Sequence, residues 1–226
     1  MGAIQWHYIF NPELAWESLP FLLSGLPYTL GIALVSTALG IVFGLMIALM
    51  RLSSSVVLQS LARIYVSFMR GTPALVFLFL IYFGLPFAGI QFKALTSAII
   101  CFSLNSAAYI SEIFRSSLDS VDKGQWEAAK ALGLNYSVTM KSVILPQAIR
   151  IAIPPLSNVM LDVIKGTSLA AMITVNEVFQ NARIVGGREH DYMTMYILVA
   201  AIYWAVCSLF GIVQNYLETI SSKYVV

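Results

Sequence analysis

Charge is scarce in this 226-residue chain: Asp, Glu, Lys and Arg together make up 11% of it, against 59% for the apolar set. A soluble globular domain carries roughly 25% charged and 45–50% apolar residues. Together with a mean hydropathy of +0.82, the scarcity excludes a water-soluble fold and points to an integral membrane protein. Cysteine is limited to Cys101 and Cys207, both inside apolar runs, which excludes a disulfide framework or a cysteine metal cluster. Histidine is limited to His7 and His190, both outside those runs, so a serine nucleophile within the membrane would have no imidazole base in reach. A net charge of +2 excludes a polyanionic partner such as nucleic acid. The sequence also lacks a Gly-x-x-x-x-Gly-Lys-Ser/Thr loop, so the chain does not bind ATP in the P-loop manner.

Long apolar runs are what the chain has in abundance. An uncompensated charge is expensive in hydrocarbon, so spans are read from the intervals between charges. Residues 18–50, 71–92, 94–111 and 192–217 form four such intervals, each long enough to cross as a helix that satisfies its own backbone. A fifth, 151–176, is interrupted by Asp162 and Lys165 and either spans with two charges inside or dips in as two half-segments. The expectation is an all-α polytopic membrane protein: one transmembrane domain over 1–226, with five transmembrane helices at 22–50, 71–92, 94–114, 151–176 and 192–218, and a cytoplasmic segment at 119–150. With the N-terminus outside and the C-terminus inside, nine Lys and Arg fall on the cytoplasmic side, three on the outer side, and Lys165 lies in a span, as the positive-inside rule requires. The first twenty residues hold no Lys or Arg, so they lack the basic flank of a cleaved leader and the first span is expected to stay in the protein. Trp6, Tyr8 and Phe10 suit the outer interface, with His7 a bystander there.

Within the first span Ser36, Gly40, Gly44 and Ala48 recur every four residues, a stripe of small side chains that lets another helix approach, for packing within the subunit or across a dimer seam. Arg70-Gly71-Thr72-Pro73 reads as a turn or helix entry. The third span carries Asn105, Ser106 and Tyr109 at helical spacing. Its Glu112 and Arg115, three apart, are placed to pair. In the cytoplasmic segment, residues 125–132 are rich in helix formers and Gly133 suits the position just past a helix end. A second helix over 136–145 is expected to stop at Pro146, giving a helix-turn-helix.

Glu127-Ala128-Ala129, three residues, Gly133, nine residues and Val143-Ile144-Leu145-Pro146 resembles the EAA loop of ABC importer permeases, with Val143 where Ile is usual. Arg70-Gly71-Thr72-Pro73, Ile81-Tyr82-Phe83-Gly84-Leu85-Pro86, Ala107-Ala108-Tyr109 with Glu112-Ile113-Phe114-Arg115, and Lys165-Gly166-Thr167-Ser168-Leu169 look like the polar amino-acid permeases, over residues 19–218. Gly166 stands where that family often has Asp, so no carboxylate role carries over to it. The resemblance implies the ABC type I importer permease fold in a bacterial cytoplasmic membrane. It also implies a second permease subunit (homodimer or heterodimer), two ATPase subunits that hold ATP and magnesium, and an extracytoplasmic substrate-binding protein. No cofactor is expected on this chain. Glu127, Ala128, Ala129, Gly133, Leu145 and Pro146 become the ATPase-coupling residues, the first helix lying in a cleft of the ATPase. The family handles basic, acidic, amide and sulfur-containing amino acids, with a lean here to cystine or another polar one.

Asp162 and Lys165, three apart, fit a structural ion pair or a substrate site. Pro154-Pro155 starts that segment and Gly166-Thr167-Ser168 can break it, leaving half-helices that present backbone groups to a charged substrate. Asn105, Tyr109, Asp162, Lys165, Thr167 and Ser168 are therefore the pathway candidates. The outer segment 177–191, with Arg183, Arg188, Glu189, His190 and Asp191, reads as a solvated loop or a docking surface for the binding protein. His190 alone makes no metal site. An ATP-independent channel or secondary carrier, and less readily an intramembrane enzyme, are the alternatives.

Overall fold

The computed structural model describes residues 9–222, and the regular structure over them is helical throughout. Trp6, His7, Tyr8 and Lys223, named above as interfacial or cytoplasmic, lie outside the described residues. Helix α1 (Pro12–Leu23) begins at Asn11, whose side chain accepts from Leu14 N at 3.2 Å, with Pro12 fitting the first turn. It ends at Ser24, so the apolar run that starts at residue 18 is two helices rather than one. The long span is α2 (Leu26–Leu52). Gly25 lies between them, at a position only glycine fits, because a Cβ there would stand 2.6 Å from the backbone of Glu177 and Val178.

Helix α3 (Val56–Gly71) is capped by Ser55 and occupies what the sequence presented as a link between spans. Extended backbone at Thr72 and Pro73 breaks it from α4 (Ala74–Phe79), which continues as a π turn (Leu80–Gly84) and a 3₁₀ turn (Leu85–Ala88). Helix α5 (Ala94–Asp119) follows. Next come α6 (Lys123–Ala131), the single turn α7 (Tyr136–Thr139), a π turn (Met140–Ile144) and α8 (Leu145–Gly166). A 3₁₀ stretch (Thr167–Ile173), α9 (Val178–Glu189) and α10 (Tyr192–Ser222) complete the chain. Among the described residues, four stretches are long and apolar enough to cross a membrane, Leu26–Leu52, Ala94–Asp119, Tyr136–Ile173 and Tyr192–Tyr216. The broken pair Val56–Gly71 and Ala74–Ala88 is a fifth when taken as one.

Three expectations are corrected. Pro146 does not stop a helix: in the π turn before it, Leu145 N–H donates to Met140 O five residues back, and the widened turn makes room for the pyrrolidine ring. Pro154 and Pro155 do not open a segment but lie inside α8, as prolines do in membrane helices whose freed carbonyls find other donors. The outer segment is not a solvated loop. It is α9, with Val178, Asn181, Ala182, Val185 and Gly186 buried.

The chain divides into two compact units. One comprises Met1–Ser36, Pro73–Phe102 and Leu161–Phe210, the other Thr37–Thr72, Ser103–Met160 and Gly211–Val226. In the first, Leu22, Val178, Ala182, Val185, Met195, Val199 and Ile202 form the core, and Asn181 Nδ2 donates to Phe21 O (2.9 Å) and Ser24 Oγ (3.2 Å). In the second, the small-residue stripe does what close approach requires. Gly40 lies against Ser106 and Gly44 against Ile110 so tightly that a Cβ at either would fall inside van der Waals contact. Tyr65 donates to Leu104 O at 2.6 Å, tying α3 to α5.

Candidate functional site

In the second unit, the coupling segment is built from local signals in the order the chain presents them. Asp122 Oδ1 accepts from Gly124 N at 2.6 Å and caps α6. Helix α6 closes with Gly133 N–H donating to Lys130 O (3.0 Å) and Leu134 N–H to Ala129 O (3.1 Å). Gly133 sits at φ +75°, the left-handed backbone that glycine adopts without a Cβ penalty. Asn135 then caps α7, accepting from Val138 N at 3.0 Å. Val121, Ile144 and Ala148 make a small core on which Leu118, Trp126, Met140, Val143 and Ile151 pack. Trp126 stacks on Tyr136 with ring centroids 6.0 Å apart, and Gln147 Nε2 donates to Gln125 Oε1 at 3.2 Å. Of the six residues that the sequence resemblance marks for coupling, Ala129 is buried, while Glu127, Ala128, Gly133, Leu145 and Pro146 are exposed. Leu132 beside them is 77% exposed. The segment is thus a small folded knob with its own core, and its exposed side carries Glu127 together with Lys123, Lys130 and Lys141 among small and apolar side chains.

The pathway candidates fall into two groups. In the second unit, Asn105 Nδ2 donates to Met69 O at 3.2 Å, and Tyr109 lies under the Arg70 guanidinium, 5.6 Å from ring centroid to carbon. Ser106 is buried, with Oγ donating to Ser103 O at 3.2 Å. In the first unit, Lys165 Nζ and Asp162 Oδ1 pair at 2.7 Å with both side chains more than half exposed. Thr167 and Ser168 turn back on the helix end, Thr167 Oγ1 donating to Ile164 O (2.7 Å) and Ser168 Oγ to Lys165 O (2.8 Å). The α-helix gives way to 3₁₀ geometry at Gly166, where the sequence marked a break. No group of three or more His, Cys, Asp or Glu side chains among the described residues is placed to hold a metal.

Two polar groupings were not read from the sequence in full. Glu112 pairs with Arg115, as its spacing suggested (3.1 Å), and also with Arg51 of α2, while Arg115 reaches Asp119 at 2.7 Å. The Arg51 contact joins residues 61 apart, which helical spacing cannot reveal. Glu177 lies between the spans and is fully buried, accepting from Phe179 N (2.9 Å), Gln180 N (2.7 Å) and the Tyr203 hydroxyl (2.8 Å). Burial pushes its carboxyl above the ordinary value, and these donors pull the other way without cancelling it. Its sole sequence signal is a lone acid directly before a helix start, where carboxylates cap.

A multi-span helical chain whose folded coupling knob is made from an EAA-type segment is the membrane subunit of a transporter powered from outside itself. The chain matches the family described as the binding-protein-dependent transport system inner membrane component over residues 40–219. It is 59% identical over 225 residues to the probable amino-acid ABC transporter permease protein YckA of Bacillus subtilis (strain 168), with 100% of each chain covered. To the L-cystine transport system permease protein TcyB of the same organism it is 44% identical over 224 residues, covering 99% of this chain and 94% of that one. Among solved structures, the crystal structure of an amino acid ABC transporter with histidines superposes with a TM-score of 0.87 at 35% identity, covering 90% of this chain and 95% of that one. The chain belongs to this family of inner-membrane components: it is a multi-pass permease subunit of an ABC importer, which works with a separate ATPase and a substrate-binding component, and it is not an enzyme.

Proposed function

We propose that this chain lines the translocation pathway of an ATP-driven importer of polar amino acids, L-cystine foremost, and receives the ATPase stroke through α6. The observation that carries the coupling role is the knob itself. Glu127 and Ala128 face outward on a helix terminated by a left-handed Gly133, while Ala129 and Ile144 anchor the segment from within. A second permease subunit, two ATPase subunits and an extracytoplasmic binding protein complete the importer, and the N-terminus lies outside. The substrate class is supported by the 44% identity to an L-cystine permease. The exposed Asp162–Lys165 pair at the broken end of α8 presents both signs of charge to a zwitterion.

The test is purification of the tagged chain from native membranes in mild detergent, with mass spectrometry and an ATPase assay. A P-loop ATPase is expected to accompany the chain and to be lost from Glu127→Arg and Gly133→Asp variants that still insert. Recovery of the chain alone, with uptake of radiolabelled L-cystine independent of ATP, would refute the coupling reading and establish a carrier. Substitution of Asp162 or Lys165 by Ala is expected to reduce uptake without releasing the ATPase.

A further inference from the structure

We propose that Glu177 and Tyr203 are positioning residues for transport, holding the broken end of α8 through Thr167. The proposal rests on the reading of Thr167 and Ser168 as pathway residues and adds to it what keeps them in place. Thr167 is the first residue beyond the α-helical part of the span and is fully buried. Its Oγ1 lies 2.7 Å from Ile164 O and 3.4 Å from the Tyr203 hydroxyl. That hydroxyl has one proton, which it donates to Glu177 Oε2 at 2.8 Å, and the single proton of Thr167 goes chiefly to Ile164 O, so the two hydroxyls meet in a long contact in which the Tyr203 oxygen takes the minor share of the Thr167 proton. Glu177 is in turn fixed by two backbone N–H groups at the start of α9. On the same helix, Arg183 Nη1 donates to Ala171 O at 3.4 Å, further along the 3₁₀ stretch. Helix α9 therefore grips Thr167–Ile173 at two points, one through the Glu177–Tyr203–Thr167 chain and one directly.

A helix cap alone does not explain this arrangement. Capping needs only a short polar side chain at the surface, whereas here a carboxylate is fully desolvated, which is unfavourable unless its lone pairs are filled by donors. One of those donors is the tyrosine that touches Thr167. The 3₁₀ stretch has weaker internal hydrogen bonding than an α-helix, so its geometry depends on what is attached to it.

The test uses the full importer in proteoliposomes, with radiolabelled L-cystine as the probe and radiolabelled L-glutamine and L-arginine alongside. Tyr203→Phe keeps the ring and removes the hydroxyl. It is expected to raise the half-saturating concentration for uptake roughly three- to tenfold, the equivalent of one buried hydrogen bond, and Glu177→Gln is expected to do the same. Thr167→Val should give a similar rise and Thr167→Ser, which keeps the hydroxyl, none. If Tyr203 acts through Thr167, the Tyr203→Phe/Thr167→Val pair is no worse than either alone. Independent, multiplying effects in the double variant would overturn the proposal. So would an unmoved half-saturation in Tyr203→Phe, or an equal rise in Asn181→Ala, which loosens α9 without touching Thr167. An unmoved Thr167→Val would instead remove the pathway reading on which the proposal stands.

Discussion

Gly44 offers the sharpest test of how α2 meets α5. A Cβ at this position would lie 2.8 Å from Ile110 Cγ2, 2.9 Å from Ile110 Cβ and 3.1 Å from Ala107 O. Ordinary contact starts near 3.4 Å, so Gly44→Ala forces a displacement of about 0.5 Å. Ile110 is fully buried and Ala107 O is backbone, so neither yields by a side-chain rotation. Overpacking of this kind destabilises by about 1–3 kcal/mol, and the better helix propensity of alanine returns about 1 kcal/mol. A net loss of about 1 kcal/mol, or roughly 2–4 °C in the unfolding midpoint of a chain this size, is expected by fluorescence-detected melting of the purified protein in detergent. Gly40 provides the internal comparison. Its Cβ would come closer still, 2.2 Å from Ser106 Oγ, but that hydroxyl can turn at the loss of its bond to Ser103 O, leaving contacts of 3.2 Å to Ser106 Cβ and Ile110 Cδ1, so Gly40→Ala is expected to lose less stability than Gly44→Ala despite the shorter distance. Ile110→Ala is expected to be less damaging in the Gly44→Ala background than in the wild type, because it removes the Cγ2 that the new methyl strikes. Gly44→Ala melting at or above the wild-type temperature, or Gly40→Ala proving the worse of the two, would refute this account of the contact.

Other expectations follow from the polar groups. Because burial raises the Glu177 carboxyl, the folded protein binds that proton more tightly than the unfolded chain does. Stability should therefore fall as pH rises from about 4.3, the ordinary Glu value, through the raised one, and remain reduced above it. Glu177→Gln should flatten that slope in melts taken between about pH 4 and 7. Glu112→Gln leaves the largely buried Arg51 guanidinium without a charged partner. It should lower stability by about 1–3 kcal/mol, read by the same melt, with little change if Asp119→Asn is made instead. Asp122→Ala removes the cap of α6 and should weaken that helix by about 1 kcal/mol, visible as faster amide exchange over Lys123–Ala131.

The elements that the sequence made legible are those governed by local rules. Asp122, Gly133 and Asn135 mark the ends of the coupling helices by their own backbone and side-chain chemistry. The apolar intervals mark the spans because charge is expensive in hydrocarbon, and the stripe at Gly40 and Gly44 announces a close approach. Misreadings arose where a partner distant in the chain decides the outcome. Segment 177–191 looks solvated because it carries Arg183, Arg188, Glu189 and Asp191, yet Val178, Ala182 and Val185 turn to a core supplied by α1 and α10. Pro146 looks like a helix stop and Pro154-Pro155 like a segment start because a proline withholds one hydrogen bond, and nothing local shows that the turn before Pro146 has already shifted its bonding by one residue. Asp162 and Lys165 pair as their spacing suggests, but spacing is silent on exposure, and it is the exposure of both that makes a pathway role worth testing.

The bonding shift ahead of Pro146 has a consequence for the phase of the helix. Leu85-Pro86 and Leu145-Pro146 each follow a π turn, Leu80–Gly84 and Met140–Ile144. Such a turn holds one residue more than the α-helical turn it replaces, so everything downstream is rotated by about 100° relative to an uninterrupted helix. Ile144 and Ala148 reach Val121 only in that rotated setting. Deleting a single residue within Met140–Ile144 would remove that extra residue and let the chain relax to a regular helix with Ala148 still facing its partners, whereas the same deletion within the regular α-helix further along α8 would turn everything beyond it by about 100°. The same deletion in the exposed link at residues 53–55, between α2 and α3, has no such phase to lose. Tolerance to length change in this protein is therefore set less by exposure than by whether a stretch keeps count for the helix beyond it.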